Sequence, residues 1–219
     1  MNKQRLIFAA AAVLLVAAFV VGSSLYQKKR AQDLGFIAEK SFATFVRPHS
    51  QVMGNPDAKV WLVEFTDPAC ETCAAFSPLV KQILAANPDK VKLVVRYAPF
   101  HQGSEGVVRM LHASVAQGKF WNMLELMYKS QPSWASHHQP QPELLWDFVG
   151  AAGLDKDRLA RDVQSQEIAA IVAQDIADAR TLGVNKTPGF FVNGKPLVQF
   201  GARELEQLVR TELAIAYPQ

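Results

Sequence analysis

Apolar residues gather in a few short blocks whose spacing predicts the elements of the chain. Val60 to Phe65 (VWLVEF) is an apolar run broken only by Glu64 and predicts a short buried strand. It stops at Thr66-Asp67-Pro68, because proline donates nothing to a strand ladder. Beyond two cysteines, the stretch Ala74 to Ala86 (AAFSPLVKQILAA) has helical spacing. Asn87-Pro88-Asp89 marks a turn, and Val91 to Tyr97 (VKLVVRY) is a β-branched run suited to a buried parallel strand, ended by Pro99. The pattern then turns helical as far as Gly183. Val107, Val108, Leu111 and Val115 predict a helix over Ser104–Gln117 closed by Gly118, and Phe120–Tyr128 predicts another. Gln131 to Gln141, with Pro132, Trp134, His137, His138 and Pro140, predicts an irregular loop. Pro142 suits the first position of a helix reaching Ala152 with Gly153 as its cap; Asp155 and Ser165 suit the N-caps of two more, the second stopping at Gly183. Strand pattern returns at Phe190–Val192, Asn193-Gly194 predicts a tight hairpin turn, and Leu197–Phe200 its second strand. Ala202–Ala214 predicts a closing helix. Upstream, a short strand near Phe42–Arg47 and a turn at Met53–Asp57 lead into Val60.

The longest apolar block lies at the amino terminus. Leu6 to Gly22 (LIFAAAAVLLVAAFVVG) carries no polar residue, and no charge follows until Lys28, leaving about 20 uncharged residues, enough for a helix to cross a bilayer. The segment predicts one uncleaved transmembrane anchor (residues 1–26) in preference to a cleavable signal peptide, whose apolar core is shorter; Gly22-Ser23-Ser24 is the small-residue site that cleavage would use. Lys3, Arg5 and the amino terminus balance Lys28, Lys29 and Arg30, so flanking charge sets no orientation. Residues 27–50 are polar and charged and read as a tether. The chain has 219 residues, 49% of them hydrophobic, which suits one domain with a real core. A net charge of +3 without a basic stripe excludes nucleic acid as a partner.

Candidate chemistry is concentrated between the first strand and its helix. Cys70 and Cys73, the only cysteines, sit on what the pattern makes the first helical turn. A helix start offers unpaired amides and a partial positive charge, which stabilise a thiolate on the first cysteine, while the second lies one turn on, where it can close a disulfide. Half of a zinc site is one alternative, but it needs two more ligands and no second C-x-x-C or H-x-x-x-H follows. A structural disulfide is another, though so small a loop constrains the unfolded chain little. The strand-turn-helix setting favours a redox dithiol.

Two phrases, FTDPACETC around the cysteines and TPGFFVNGKPL from Thr187, carry a resemblance. Together and in this order they resemble the DsbA-like group of exported thiol-disulfide oxidoreductases, over about Val52 to Tyr217; the order Gly118-Lys119-Phe120-Trp121 also resembles a phrase common there. The resemblance implies an α/β thioredoxin-like fold over residues 51–217 with an all-helical domain inserted at about 103–183, preceded here by the transmembrane helix. It implies a cis Thr187-Pro188 peptide in a loop that packs on the dithiol and pairs with substrate backbone. It implies Cys70 as the attacking thiolate at an exposed helix start, Cys73 as the buried resolving thiol, and Glu64 as the carboxylate beneath the disulfide that helps move the resolving cysteine's proton. It further implies a cofactor-free enzyme using the Cys70–Cys73 disulfide, most simply a monomer, facing the outside of a bacterial inner membrane. Its partners are then exported cysteine-containing clients and a membrane redox protein that recycles the dithiol.

The sequence departs from the family between the cysteines. Strongly oxidising members carry Pro-His there; this chain carries Glu71-Thr72, and Glu71 places negative charge beside the thiolate. Thr187 also resembles members with isomerase or reductase roles, so the direction of exchange stays open. Helix-start cysteines of this kind span pKa values from about 3.5 to about 7, and Cys70 is expected nearer the upper end. The reading from another class is a client holdase or copper metallochaperone whose C-x-x-C binds without turnover. His101, His112, His137 and His138 are weaker metal candidates, and no partner for His49 is visible. Phe76, Trp121, Trp134, Trp146 and Phe148 read as core or interface residues.

Overall fold

The computed structural model describes residues 15–17, 19–26, 29, 42–135 and 139–218. Strand β2 (Val60–Thr66) lies at the middle of a five-stranded sheet. Its neighbours are β3 (Val91–Tyr97), parallel, and β4 (Gly189–Val192), antiparallel. The edges are β1 (Gln51–Met53) on β3 and β5 (Lys195–Pro196) on β4, both antiparallel, giving the order β1-β3-β2-β4-β5. In β2 every residue but Trp61 is buried, and in β3 every residue but Lys92, as expected of parallel strands covered on both faces.

Strand alternation divides the core. Val60, Leu62, Val91, Leu93, Val95, Phe190 and Val192 share one face with Val80 and Ile83 of α2 (Glu71–Ala86), and with Leu205 and Val209 of the closing helix. Val63, Phe65, Val94 and Phe191 look the other way, onto Phe45, Ala179 and Leu182. Glu64 therefore belongs to the face that carries the cysteine helix.

The helices between β3 and β4 are α3 (Ser104–Ala113), α4 (Phe120–Trp134), α5 (Lys156–Asp162) and α6 (Gln166–Thr181). Asp155 and Ser165 cap α5 and α6, their side chains accepting from the Arg158 and Glu167 amides, as the sequence predicts. Four expectations change. Phe42–Phe45 is a helical turn, α1, and not a strand: Phe45 is buried against Trp61 and Phe191, and the Thr44 carbonyl accepts from Arg96 instead of from a ladder. α4 runs on to Trp134 past Pro132, because Met123, Met127, Gln131 and Trp134 continue one buried stripe. The helix expected over Pro142–Ala152 is two tight 3₁₀ segments, Pro142–Asp147 and Val149–Ala152, with bonds reaching back only three residues. The hairpin turn stands at Asn193-Gly194, with φ of 48° and 80°, but its second strand is Lys195–Pro196, where proline keeps the edge short. The closing helix, α7, spans Ala202–Ala216.

The expected anchor, Leu6–Gly22, lies largely outside the described residues, as does most of the tether. Residues 15–17 and 19–26 are helical, and among the described residues no helix is long and apolar enough to cross a membrane.

A buried ionic cluster fastens the amino-terminal side to this frame. Arg96 of β3, fully buried, donates to Asp175 through Nε (3.0 Å) and Nη2 (2.6 Å), and to Asp178 through Nη2 (2.6 Å). Arg47 meets Asp178 at 2.7 and 2.8 Å, and His49 meets Asp175 at 2.6 Å, so His49 has the partner that the sequence hid.

Candidate active site

β2 delivers the chain to its cysteines at a fixed point. After Thr66 it turns through Asp67, Pro68 and Ala69, with the Cys70 amide bonded to the Asp67 carbonyl at 2.9 Å. Cys70 is then the N-cap of α2, extended at φ −80° and ψ 117°, with Glu71, Thr72 and Cys73 in the first turn. Its sulfur makes no capping hydrogen bond, but the nearby Thr72 and Cys73 amides at the helix start favour its ionised form. Both cysteines are free thiols. Cys73 is fully buried, as expected; Cys70 is only 5% exposed, which corrects the exposed position read from the helix start. The covering comes from the loop before β4. The Cys70 thiol donates to the Thr187 carbonyl at 3.3 Å, and the Thr187-Pro188 peptide is cis, as the resemblance implies.

The two sulfurs are electrostatically unequal. Cys70 is lowered to about 5, chiefly by a hydrogen bond from the Cys73 thiol, helped by Thr187 and the two amides, while burial opposes. Cys73 is pushed well up by burial, by its bond to Cys70 and by the charge of Glu64. Cys70 thus lies lower than expected, because the Cys73 thiol and the side chain of the distant Thr187, both brought to it by the fold, favour its thiolate. Glu71 and Thr72 are exposed. The ultraviolet absorbance of the thiolate in reduced protein should show an inflection near pH 5 that Cys70→Ser removes; a single inflection in the ordinary thiol range would overturn this.

Glu64 is 5% exposed, on the sheet face shared with α2. Burial raises its carboxyl to about 7 against a lowering bond from Thr66. Oε1 has no hydrogen-bond partner. A carboxyl near neutrality, coupled electrostatically to Cys73, can exchange a proton with that thiol at physiological pH.

Several side chains that hold the site were missed in the sequence. Asp67, fully buried, takes the Ala69 amide on Oδ1 (2.9 Å). Its Oδ2 takes the Phe100 and His101 amides (3.0 and 3.2 Å), His101 Nδ1 (2.7 Å) and the Ser104 hydroxyl (2.9 Å). One carboxylate thereby ties the loop after β3 to the cysteine loop. Gln131 of α4 donates to the Pro68 carbonyl at 2.7 Å. Thr66 Oγ1 and the Tyr128 hydroxyl lie 2.7 Å apart. The Asp three residues before the first cysteine was the one available signal; nothing in the sequence marks Gln131. Beside the cis-proline loop, a cavity of about 300 Å³ is lined by Val184, Lys186, Pro188, Phe190, Leu197 and Phe200. His137 and His138 fall outside the described residues, among which no cluster of three or more His, Cys, Asp or Glu is placed to hold a metal.

Comparison with known proteins gives this geometry its class. The thioredoxin family profile matches residues 47–210, so the chain belongs to the thioredoxin family. A thioredoxin-like oxidoreductase from Silicibacter pomeroyi is 29% identical, with a TM-score of 0.67 over 77% of this chain and 95% of that one. BdbD from Bacillus subtilis shares the fold at 24% identity, with a TM-score of 0.66 over 75% and 93% of the two chains. The fold is a DsbA-like thioredoxin fold. A curated relative, the Na⁺/H⁺ antiporter NhaA of Herminiimonas arsenicoxydans, is 32% identical over 146 residues, 67% of this chain. The chain spans between 22% and 29% of the length of such antiporter relatives.

Proposed function

We propose that this protein exchanges disulfides with cysteine-containing exported proteins while held at the outer face of a bacterial inner membrane by its amino-terminal segment. The observation that carries the reading is the unequal cysteine pair: an ionisable Cys70 under the Thr187 carbonyl and a protonated Cys73 one turn deeper. Cys70 is the nucleophile. Its thiolate attacks a client disulfide, releases one client cysteine as thiolate, and forms a mixed disulfide. Glu64 takes the proton of Cys73, whose thiolate attacks the Cys70 sulfur, closes the Cys70–Cys73 disulfide and releases the second client thiol. Run in reverse, the same steps oxidise a client dithiol. No cofactor takes part; a membrane redox protein resets the dithiol. The cavity beside Thr187 and Pro188 suits the apolar side chains of an extended client segment. The chemistry acts on the clients one molecule at a time, and the protein works as a monomer.

Poise follows from the thiolate, which exists only in the reduced form, so whatever stabilises it makes the disulfide a stronger oxidant. A Cys70 near 5 lies about two units below a thioredoxin-like thiol of about 7, equivalent to about 60 mV. The role therefore lies between reductase and strong oxidase. Support for the membrane tether is the apolar block Leu6–Gly22, and the occurrence of a similar domain as a fraction of proteins named antiporters.

An insulin-reduction assay tests the reaction. Turnover that Cys70→Ser abolishes is expected; metal-dependent folding without turnover would replace the enzyme with a copper-binding or client-holding module. Location is tested separately: the full chain should stay with membranes through a high-salt wash and retain Met1. A soluble form starting near Ser23 would overturn the anchor.

A further inference from the structure

Asp67 touches both cysteines through its main chain and a second loop through its side chain. Its carbonyl accepts the Cys70 amide at 2.9 Å, and its amide faces the Cys73 sulfur, whose thiolate it favours. Its fully buried carboxylate is fastened on two sides. Oδ1 takes the Ala69 amide inside the cysteine loop, while Oδ2 takes the Phe100 and His101 amides, His101 Nδ1 and the Ser104 hydroxyl. Ser104 opens α3, and Phe100 follows β3, which runs parallel to β2 and ends beside it. The peptide unit that bears the Asp67 amide is therefore pinned twice. The Ala98 amide holds the Thr66 carbonyl at 2.8 Å, and the carboxylate holds the residue that follows.

The two sulfurs depend on this residue unequally. The Cys70 thiolate is favoured by the Cys73 thiol, by Thr187 and by the Thr72 and Cys73 amides. The Cys73 thiolate is opposed by burial and by its neighbours Cys70 and Glu64, and the Asp67 amide favours it. Charge develops on Cys73 when it attacks the mixed disulfide, so an amide aimed at its sulfur acts on that step. We propose that Asp67 is a positioning residue for the resolving step. By fastening the cysteine loop to the loop after β3, its carboxylate keeps its own amide aimed at the Cys73 sulfur; Cys70 attacks clients without that help. The inference rests on the reading of Cys73 as the resolving thiol.

An aromatic disulfide separates the two steps in the reduced full chain. The Cys70 thiolate attacks one of its sulfurs, breaks the aromatic S–S bond, forms a mixed disulfide and releases one coloured thiolate. Cys73 then loses its proton, attacks the Cys70 sulfur, closes the Cys70–Cys73 bond and releases a second coloured thiolate. Asp67→Asn puts a donor where the carboxylate has an acceptor. Its first release should match wild type, and its second should be slower by about tenfold or more, as loss of a hydrogen bond to a charged group implies. Ser104→Ala removes one bond to Oδ2 and should slow the second release by about threefold. In the double variant Ser104→Ala should add nothing, because its effect runs through the carboxylate. Equal slowing of both releases, which marks general damage, overturns the proposal. So does an unchanged second release, or losses that add in the double variant. Should Asp67→Asn fail to fold, Ser104→Ala decides alone by the same split between steps. A wild type that gives no second release would remove Cys73 as the resolving thiol, and this inference with it; a second release untouched in the variants would remove Asp67 only.

Discussion

Cys73→Ala protein, expressed in cells, should accumulate covalent complexes with its clients, while Cys70→Ala protein should form none. The difference is close to all-or-none, because the two sulfurs do separate jobs. Only Cys70 ionises at neutral pH, at about 5 against a Cys73 held well above the usual thiol range. With Cys73 replaced, the client disulfide still opens on Cys70, but no neighbouring thiol remains to displace it, and the mixed disulfide persists. Non-reducing electrophoresis after acid trapping reads the result directly. Complexes appearing in Cys70→Ala and missing in Cys73→Ala would exchange the roles; equal trapping by both would show that position on α2 does not decide which sulfur attacks.

The second large effect concerns stability. Arg96→Leu takes from two carboxylates the guanidinium they share and leaves Arg47 and His49 as their remaining cationic partners, since Arg96 bonds both Asp175 and Asp178 in a site with almost no exposure. Removing one partner of such a cluster costs about 3–5 kcal/mol, against a total stability of about 5–15 kcal/mol for a typical domain. The midpoint of urea unfolding should fall accordingly, and Arg96→Lys should not restore it. A single ammonium cannot serve Asp175, Asp178 and the Thr44 carbonyl together, as the planar fork of arginine does. A loss below about 1 kcal/mol for Arg96→Leu would mean that the carboxylates find water or other donors. Acid should expose the same cluster. Burial raises the Asp175 and Asp178 pKa values, but their bonds to His49, Arg47 and Arg96 outweigh it, and both end below their usual 3.8. Their contribution is therefore present above that pH and disappears as pH falls through the lowered values.

How far the sequence reveals this molecule depends on the range of the forces involved. β2 and β3 were legible because both faces of each strand are covered, which writes the burial into consecutive residues. The redox pair was legible from its place between strand and helix, whereas Glu64 was legible only through the family resemblance; the alternation of β2 then sets it on the face that α2 covers. The N-caps Asp155 and Ser165 were legible because a cap acts within three residues. What stayed hidden is held from far along the chain. Gln131 reaches the Pro68 carbonyl 63 residues away, and the bond from the Cys70 thiol to the Thr187 carbonyl, across 117 residues, was legible only through the family resemblance. Arg96 reads as a charge interrupting an apolar run until Asp175 and Asp178 arrive from α6. The length of α4 was misread for a related reason. Pro132 looks like a stop, but the burial of Trp134, whose indole nitrogen donates to the Met127 carbonyl at 3.1 Å, carries the helix past it.

The clamp on residues 44–49 gives the domain a mechanical character. Any tension arriving from the amino-terminal side meets Arg47 and His49 before it meets β1. From there it passes sideways into α6 and, through Arg96, into the interior of β3. The edge strand β1, whose three-residue pairing with β3 would otherwise peel open one rung at a time, is spared. The load enters on the sheet face opposite the cysteine helix, where Arg96 also lies over the Phe65 ring. Tension on residues 44–49 would thereby load the domain in shear across its centre, away from the cysteine helix.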